Sequence, residues 1–196
     1  MSTLGGAGRS SGNHSAAMPT VDPDRERFSR MVLPHLADAH TLARWITGSG
    51  IDAEDVVQDA CLRAYLAIGD IAVASPRNWL LTLVRGCAYA WLRKNRPAAV
   101  VAVDDLEQDE YEQIATRELD MNTPETALIA KVSAEHIGTA IFALPAPFRE
   151  MLVLRDIQGL AYCEIAQVTG VPIGTVMSRL ARGRNRVIKA IGRKKP

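Results

Sequence analysis

Between Thr175 and Arg193 the chain sets basic residues at a spacing that a helix turns into a line. Arg179, Arg182, Arg186, Lys189 and Arg193 follow one another at intervals of three, four, three and four, so they share one helical face. Thr175 lies on the same line and Ser178 beside it. The apolar residues Val176, Leu180, Val187 and Ile191 fall about a quarter to a third of a turn away. From Val171 to Pro196 there are eight basic residues and no acid. Guanidinium groups fit phosphate oxygens and base edges as two-pronged donors. The chemistry implied is recognition of a polyanion, with Thr, Ser and Arg of the first turns reading bases and later arginines holding phosphates.

The element before this helix says how it is positioned. Tyr162, Ile165, Ala166 and Val168 predict a short helix that ends at Gly170, and the basic helix begins three residues later. A short helix, a glycine-containing turn and a second helix form a helix-turn-helix pattern. The stripe alone would equally fit an amphipathic helix with a solvated basic face; the turn and the lack of acids favour a duplex in the major groove. Upstream, Ile137, Ile141 and Leu144 resume a helical pattern before "LPAPFR", and Phe148, Met151, Leu152 and Leu154 predict a further short helix.

Two other helices present patterned faces. In "DAEDVVQDACLRAY" Val57, Ala60, Cys61, Ala64 and Ile68 form an apolar stripe, while Asp55, Gln58, Asp59 and Leu62 share another face. Asp52 is the expected N-cap, Glu54 and Asp55 suit the first turn, and Gly69 stops the helix. In "SPRNWLLTLVRGCAYAWLRK" Ser75 and Pro76 open a helix. Leu80, Leu83, Val84, Cys87 and Trp91 give its core stripe, and Asn78, Thr82, Arg85, Tyr89, Arg93 and Arg96 line another side up to Pro97. A first helical stretch, about Asp24 to Thr47, carries Phe28, Met31, Val32, Leu36, Ala39, Leu42, Ala43 and Ile46 at helical spacing. Pro34 breaks or kinks it, and "TGSGI" ends it.

Composition narrows the classes. The chain has 196 residues, 47% hydrophobic and only 5% aromatic, with period-two runs scarce; an all-α protein of one or two small domains is expected. The net charge of +1 hides an asymmetry, since Asp104 to Glu125 holds nine acids and one base, Arg117. That acidic stretch reads as a flexible linker and the Gly/Ser-rich N-terminus as a tail. Neither a signal peptide nor a membrane span is evident, so the protein is expected in the cytoplasm without membrane partners. Cys61, Cys87 and Cys163 are read as buried apolar residues, and neither they nor His14, His35, His40 and His136 have metal-ligand spacing. No nucleophile–base pair or phosphate-cradling glycine loop is seen, and Glu164 and Asp156 read as structural acids. No enzyme activity, catalytic residue, metal or cofactor is expected.

These residues resemble the sigma-70 family of bacterial transcription initiation factors, in its extracytoplasmic-function (ECF) group. "LPAPFREMLVLRDIQGLAYCEIAQVTGVPIGTVMSRLARGRNRV" looks like the family's region 4; "DAEDVVQDACLRAY" and "SPRNWLLTLVRGCAYAWLRK" look like its region 2. The resemblance implies a tail over 1–23, a region 2 helical bundle over 24–98, an acidic linker over 99–130 and a region 4 helix-turn-helix over 131–196. It implies binding to core RNA polymerase, through the β′ clamp helices and the β flap, and to promoter DNA, with an anti-sigma protein for many relatives. By position, Asp55, Gln58 and Asp59 match the polymerase-binding surface. Asn78, Trp79, Arg85, Tyr89, Arg93 and Lys94 match the surface that meets the melted −10 element, where an aromatic between arginines stacks on an unpaired base. Trp91, and part of Trp79, are expected in the core. Thr175, Ser178, Arg179, Arg182 and Arg186 match the −35 reader.

Gly86, Ala90, Met177 and Gly183 depart from the family's frequent residues, so base preferences are expected to differ there, and Gly183 to loosen the helix. A DNA-binding regulator that never joins polymerase is the alternative, and it would need none of the region 2 features. Charge placement also suggests that, in the free protein, the basic last helix folds back toward the acidic linker or the region 2 face.

Overall fold

The computed structural model describes residues 22–69, 74–96 and 136–192. The expected acidic linker over 99–130, Pro97, Arg193 to Lys195 and all but the end of the N-terminal tail lie outside them. Among the described residues every regular element is a helix, as the sequence patterns require.

Pro34 divides the first stretch as its missing N–H dictates. Helix α1 spans Pro23–Val32, a 3₁₀ turn covers Leu33–His35, and α2 runs Leu36–Thr47. Gly48, at φ 78°, closes α2 in the left-handed region that glycine enters without cost. Helix α3 spans Gly50–Ala67. Its N-cap is Ser49 rather than the expected Asp52: the Ser49 hydroxyl accepts from the Asp52 N–H at 3.4 Å. The glycine turn leaves Ser49 extended, the backbone state a capping side chain needs. Helix α4 spans Pro76–Asn95, capped by Ser75 as expected.

The core of this first module is built from Val32, Ala39, Leu42, Ala43, Ile46, Ala53, Val56, Ala60, Ala64, Leu80, Leu81, Val84, Cys87, Ala88 and Leu92. Its stripe on α3 is rotated from the expected one. Ala53 and Val56 are buried while Val57 and Cys61 are only partly so, because small residues let α3 lie close on α2 and α4. Trp79 and Trp91 pack partly against the same core.

The second module begins with a helical segment over 136–142, α5. Helix α6, Ala146–Leu152, opens after Pro145 and widens into a π turn over Val153–Ile157. Helix α7 covers Tyr162–Thr169, Gly170 turns the chain at φ 70°, and α8 runs Ile173–Gly192. This is the helix-turn-helix. Val176, Leu180 and Gly183 bury the inner face of α8; Val187 is half-buried, and Ile191, expected in the stripe, is exposed beyond the end of the packing.

The modules are packed together. Helix α4 lies against α7 and α2 against α6, and the buried apolar residues of both form one continuous cluster. Trp45 of α2 stacks on Phe142 of α5, their rings 4.1 Å apart.

The mid-helix glycines differ in what surrounds them. A Cβ on Gly183 would lie 3.4 Å from Leu152 Cδ1 and 3.5 Å from the Phe148 carbonyl, so this glycine seats α8 on α6 rather than loosening it. A Cβ on Gly86 meets nothing within 4 Å. Gly86→Ala is therefore expected to stabilise the chain by about 0.5–1 kcal/mol through helix propensity. Gly183→Val is expected to cost about 1–3 kcal/mol by overpacking. Urea unfolding midpoints at an unchanged slope check both.

Candidate nucleic-acid interface

Helix α8 brings Thr175, Ser178, Arg179, Arg182 and Arg186 to one side, each half-buried. The Ser178 hydroxyl donates to the Thr175 carbonyl one turn back, at 3.1 Å. The Arg186 guanidinium lies 4.8 Å over the Phe148 ring. Arg184, off this line, forms a two-pronged pair with Asp156 at 2.6 and 3.2 Å. Asp156 thus has the structural role expected of it, presented by the π turn.

Helix α4 carries the second candidate face, and the structure brings only part of it to solvent. Arg93 and Lys94 are exposed at its C-terminal end. Asn78 is 7% exposed, and its side-chain amide donates to the Glu164 carboxylate at 3.3 Å. Arg85 Nε donates to Glu150 Oε1 at 2.7 Å, and the Glu150 side chain is fully buried. The Arg85 guanidinium lies 4.7 Å over the Tyr89 ring. Burial, then the charge of Glu150, raises the Tyr89 hydroxyl well above its ordinary range, while Arg85 and Arg179 act the other way. Arg179 of α8 and Tyr89 of α4 thus act on one another. For Arg85, burial opposes the charge, but the Glu150 carboxylate outweighs it and the net shift is upward.

Helix α3 shows the third face. Asp55 and Gln58 are exposed, with Leu62 at 58% between them. Ile51 and Leu66, at 78% and 73% exposed, extend the same line. The sequence reading had not marked Ile51 and Leu66, although 51, 55, 58, 62 and 66 are helical neighbours. Asp59 is anchored within the module: a hydrogen bond from the Cys87 thiol, then one from Arg63 at 2.9 Å, hold its carboxyl below the usual range.

Residues that local pattern had not marked tie the modules together. Arg77 bridges Asp38 at 2.6 Å and the Gln158 carbonyl at 2.9 Å, and the Gln158 amide donates to the Asp38 carbonyl at 2.7 Å. Buried Arg149 donates to the Phe142 carbonyl at 2.7 Å and to the Ile46 carbonyl at 3.2 Å. Within the first module Arg96, from the patterned side of α4, donates to the neighbouring Thr47 carbonyl at 3.3 Å. Two cations thus meet the negative end of α2. Glu164, expected to be structural, accepts from the Ala161 N–H at 2.8 Å; that bond, then Asn78, lowers its pKa.

Described residues that are helical throughout and that carry a helix-turn-helix with an arginine-lined second helix define the nucleic-acid-binding class. Comparison with known proteins narrows this. Residues 31–98 match the Sigma-70 region 2 family and residues 135–187 the Sigma-70 region 4 family. The RNA polymerase sigma-H factor of Pseudomonas aeruginosa is 31% identical over 172 residues, 86% of this chain and 88% of that protein. The ECF RNA polymerase sigma factor SigW of Bacillus subtilis is 28% identical, over 86% of this chain and 90% of that one. The ECF RNA polymerase sigma-E factor of Escherichia coli is 29% identical, over 84% and 86%. The fold resembles that of the sigma factor RpoE, solved with the anti-sigma factor NepR from Bartonella quintana. Its TM-score is 0.61 at 24% identity, covering 86% of this chain and 98% of that one. The chain belongs to the sigma-70 family of RNA polymerase sigma factors, in its ECF group.

Among the described residues no helix is long and apolar enough to cross a membrane. The cysteines differ from the expectation that all three are buried: Cys87 is, Cys61 is half-buried and Cys163 is exposed. Cys163 points away from the side of α7 that buries Ile165 and Val168. Burial, then the Asp59 carboxylate, pushes the Cys87 thiol up to about 11, and burial also raises Cys61. Because the thiolate is the nucleophile, iodoacetamide at about pH 8 is expected to label Cys163 first, Cys61 slowly and Cys87 only on unfolding. Peptide mass spectrometry over time checks the order.

Proposed function

We propose that this chain works as the specificity subunit of RNA polymerase, with a distinct task for each of the three faces. The polymerase core binds along α3, where Asp55 and Gln58 alternate with Ile51, Leu62 and Leu66. The β′ clamp helices are the partner for this face, since a mixed acidic and apolar strip suits a helical surface with cations at its rim. The β flap is the partner of the region 4 module. The α4 face, Asn78, Trp79, Arg85, Tyr89, Arg93 and Lys94, receives the melted −10 strand, with Tyr89 as stacking platform and arginines on phosphates. The N-terminal turns of α8, with Thr175, Ser178 and Arg179, read the −35 duplex, and Arg182 and Arg186 hold its backbone. The working domains are 24–98 and 131–196, joined through 99–130.

The chain performs no chemistry itself; bond formation belongs to the polymerase. It acts in the cytoplasm, where its template lies. An anti-sigma protein is a further partner, as for the sigma factors RpoE and CnrH, whose structures hold NepR and the cytosolic domain of CnrY.

The observation that carries this reading is the pairing, on one chain, of a solvent-facing acidic and apolar α3 strip with an arginine-lined helix-turn-helix. A regulator acting apart from polymerase needs only the second. The test is transcription from a genomic promoter library with core polymerase lacking its own specificity factor. Initiation at a defined promoter set is expected, and failure both to bind core and to initiate overturns the reading. Asp55→Arg is expected to weaken core binding at least tenfold, about 1.4 kcal/mol, with helix content unchanged.

The two arginine roles separate in the same assay. Arg179→Ala is expected to change which upstream base is preferred. Arg186→Ala is expected to weaken binding evenly across sequences and to reduce the salt slope by about 1. Affinity for duplex variants across a salt series checks both; equal, sequence-blind losses would remove Arg179 from base reading.

A further inference from the structure

We propose that the region 4 module seals the strand-binding face of α4, with the Glu150 carboxylate holding the place on Arg85 and Tyr89 that a DNA strand takes. The inference rests on the role proposed above for α4.

The residues argue it in three steps. First, the covered surface is the functional one. Asn78, Arg85 and Tyr89 face Glu164, Glu150 and the charge of Arg179, whereas Arg93 and Lys94 stay exposed. The α3 strip is left uncovered, with Asp55 and Gln58 at the surface.

Second, the group that covers Arg85 is an anion. The Glu150 carboxylate sits on Arg85 Nε at 2.7 Å, as a phosphate oxygen would. Arg85 of the same helix lies on one face of the Tyr89 ring at 4.7 Å, and the second module buries the tyrosine against Glu150 and Arg179, so a base reaches it only when that module leaves. Glu150 and a bound strand exclude each other.

Third, the seam is made to open. Asn78 Oδ1, Arg149 Nε and Gln158 Oε1 are buried there without a hydrogen bond. Buried polar atoms left over cost free energy that water returns on opening. A permanent interface would satisfy them or replace them with apolar groups. The competing attraction comes from Arg77, Arg149, the Trp45–Phe142 stack and the apolar cluster the modules share, and the unpaired polar atoms offset part of it.

The expected sequence is that core polymerase docks on the uncovered α3 face, the region 4 module swings away, and α4 becomes available to the strand. No bond is made or broken; an ion pair within the chain is exchanged for one with DNA.

The test uses the full chain with three readouts. The probe is a labelled single-stranded DNA of randomised sequence; the others are affinity for core polymerase and particle size by small-angle X-ray scattering. Glu150→Gln keeps the shape of the side chain and removes its charge. It is expected to raise single-strand affinity about tenfold, because the competent open form becomes a larger fraction. It is also expected to enlarge the particle and to leave core affinity within about twofold. In the wild-type chain, which needs no variant to fold, saturating single-stranded DNA is expected to enlarge the particle. A wild-type particle already extended in free solution, or one whose size is unchanged by bound strand, overturns the proposal. So does a folded Glu150→Gln chain with unchanged strand affinity. Loss of core binding by the wild-type chain itself instead overturns the reading of α3 and leaves the seal to be judged on strand affinity and size alone.

Discussion

A carboxylate with no solvent exposure dictates much of this structure. Glu150 lies on the region 4 module, yet its cation, Arg85, lies on the other. An ion held away from water costs several kcal/mol unless a well-placed partner offsets it. The modules can therefore bury Glu150 only by meeting at Arg85, and α4 is brought against the second module at that point. The other polar ties fall into register around it: Asn78 to Glu164, Arg77 to Gln158, Gln158 to Asp38. When the modules part, Glu150 and Arg85 both regain hydration. The contact is thus selective for one arrangement without being strong.

Distance makes that weakness necessary. On the proposed assignment the two modules read separate promoter elements, and each base pair between them adds about 3.4 Å of duplex. In the packed arrangement Arg179 is near enough to act on Tyr89. One rigid body cannot read both elements with these two residues. The chain between residues 97 and 135 has a covalent reach of about 3.3–3.6 Å per residue. Separation of the modules is allowed by the covalent chain and follows from the proposed assignment of the two faces. The apolar part of the seam, where Trp45 stacks on Phe142, gives the closed form its non-directional share of stability.

Much of the fold could be read from local rules. Pro34, Gly48, Ser75, Pro76 and Gly170 punctuate the chain where their backbone preferences require, and the helix-turn-helix is visible in the spacing of Ile165, Val168, Gly170, Val176 and Leu180. The error at Asp52 arose because two capping residues stand within one turn, and only the left-handed Gly48 decides for Ser49. Cys163 misled because a cysteine beside apolar residues reads the same on either side of a short helix. The π turn and the partners Glu150, Arg149 and Gln158 were not legible. Each acts on residues more than 60 positions away, and periodicity carries no information at that range. The acidic linker, onto which the basic last helix was expected to fold, lies outside the described residues, and the buried pair between the modules has the reverse sense, a glutamate of the second module on an arginine of α4.

On the proposed reading Arg85 serves two anions, and ionic strength distinguishes them. Binding of a strand or duplex releases condensed counterions, so added salt weakens it steeply. The Arg85–Glu150 pair has Glu150 fully buried and Arg85 26% exposed, and such a pair is screened far less than surface charges. Salt therefore moves the free chain toward its packed form by weakening the competitor rather than by strengthening the seam. Core polymerase docking on α3, as proposed, escapes this bias, because the strip mixes Asp55 with Ile51, Leu62 and Leu66, and apolar burial does not depend on counterions. Docking to polymerase is thus the step that remains favourable when DNA binding by the free chain is not. This ties promoter contact to prior assembly of the machine that uses it.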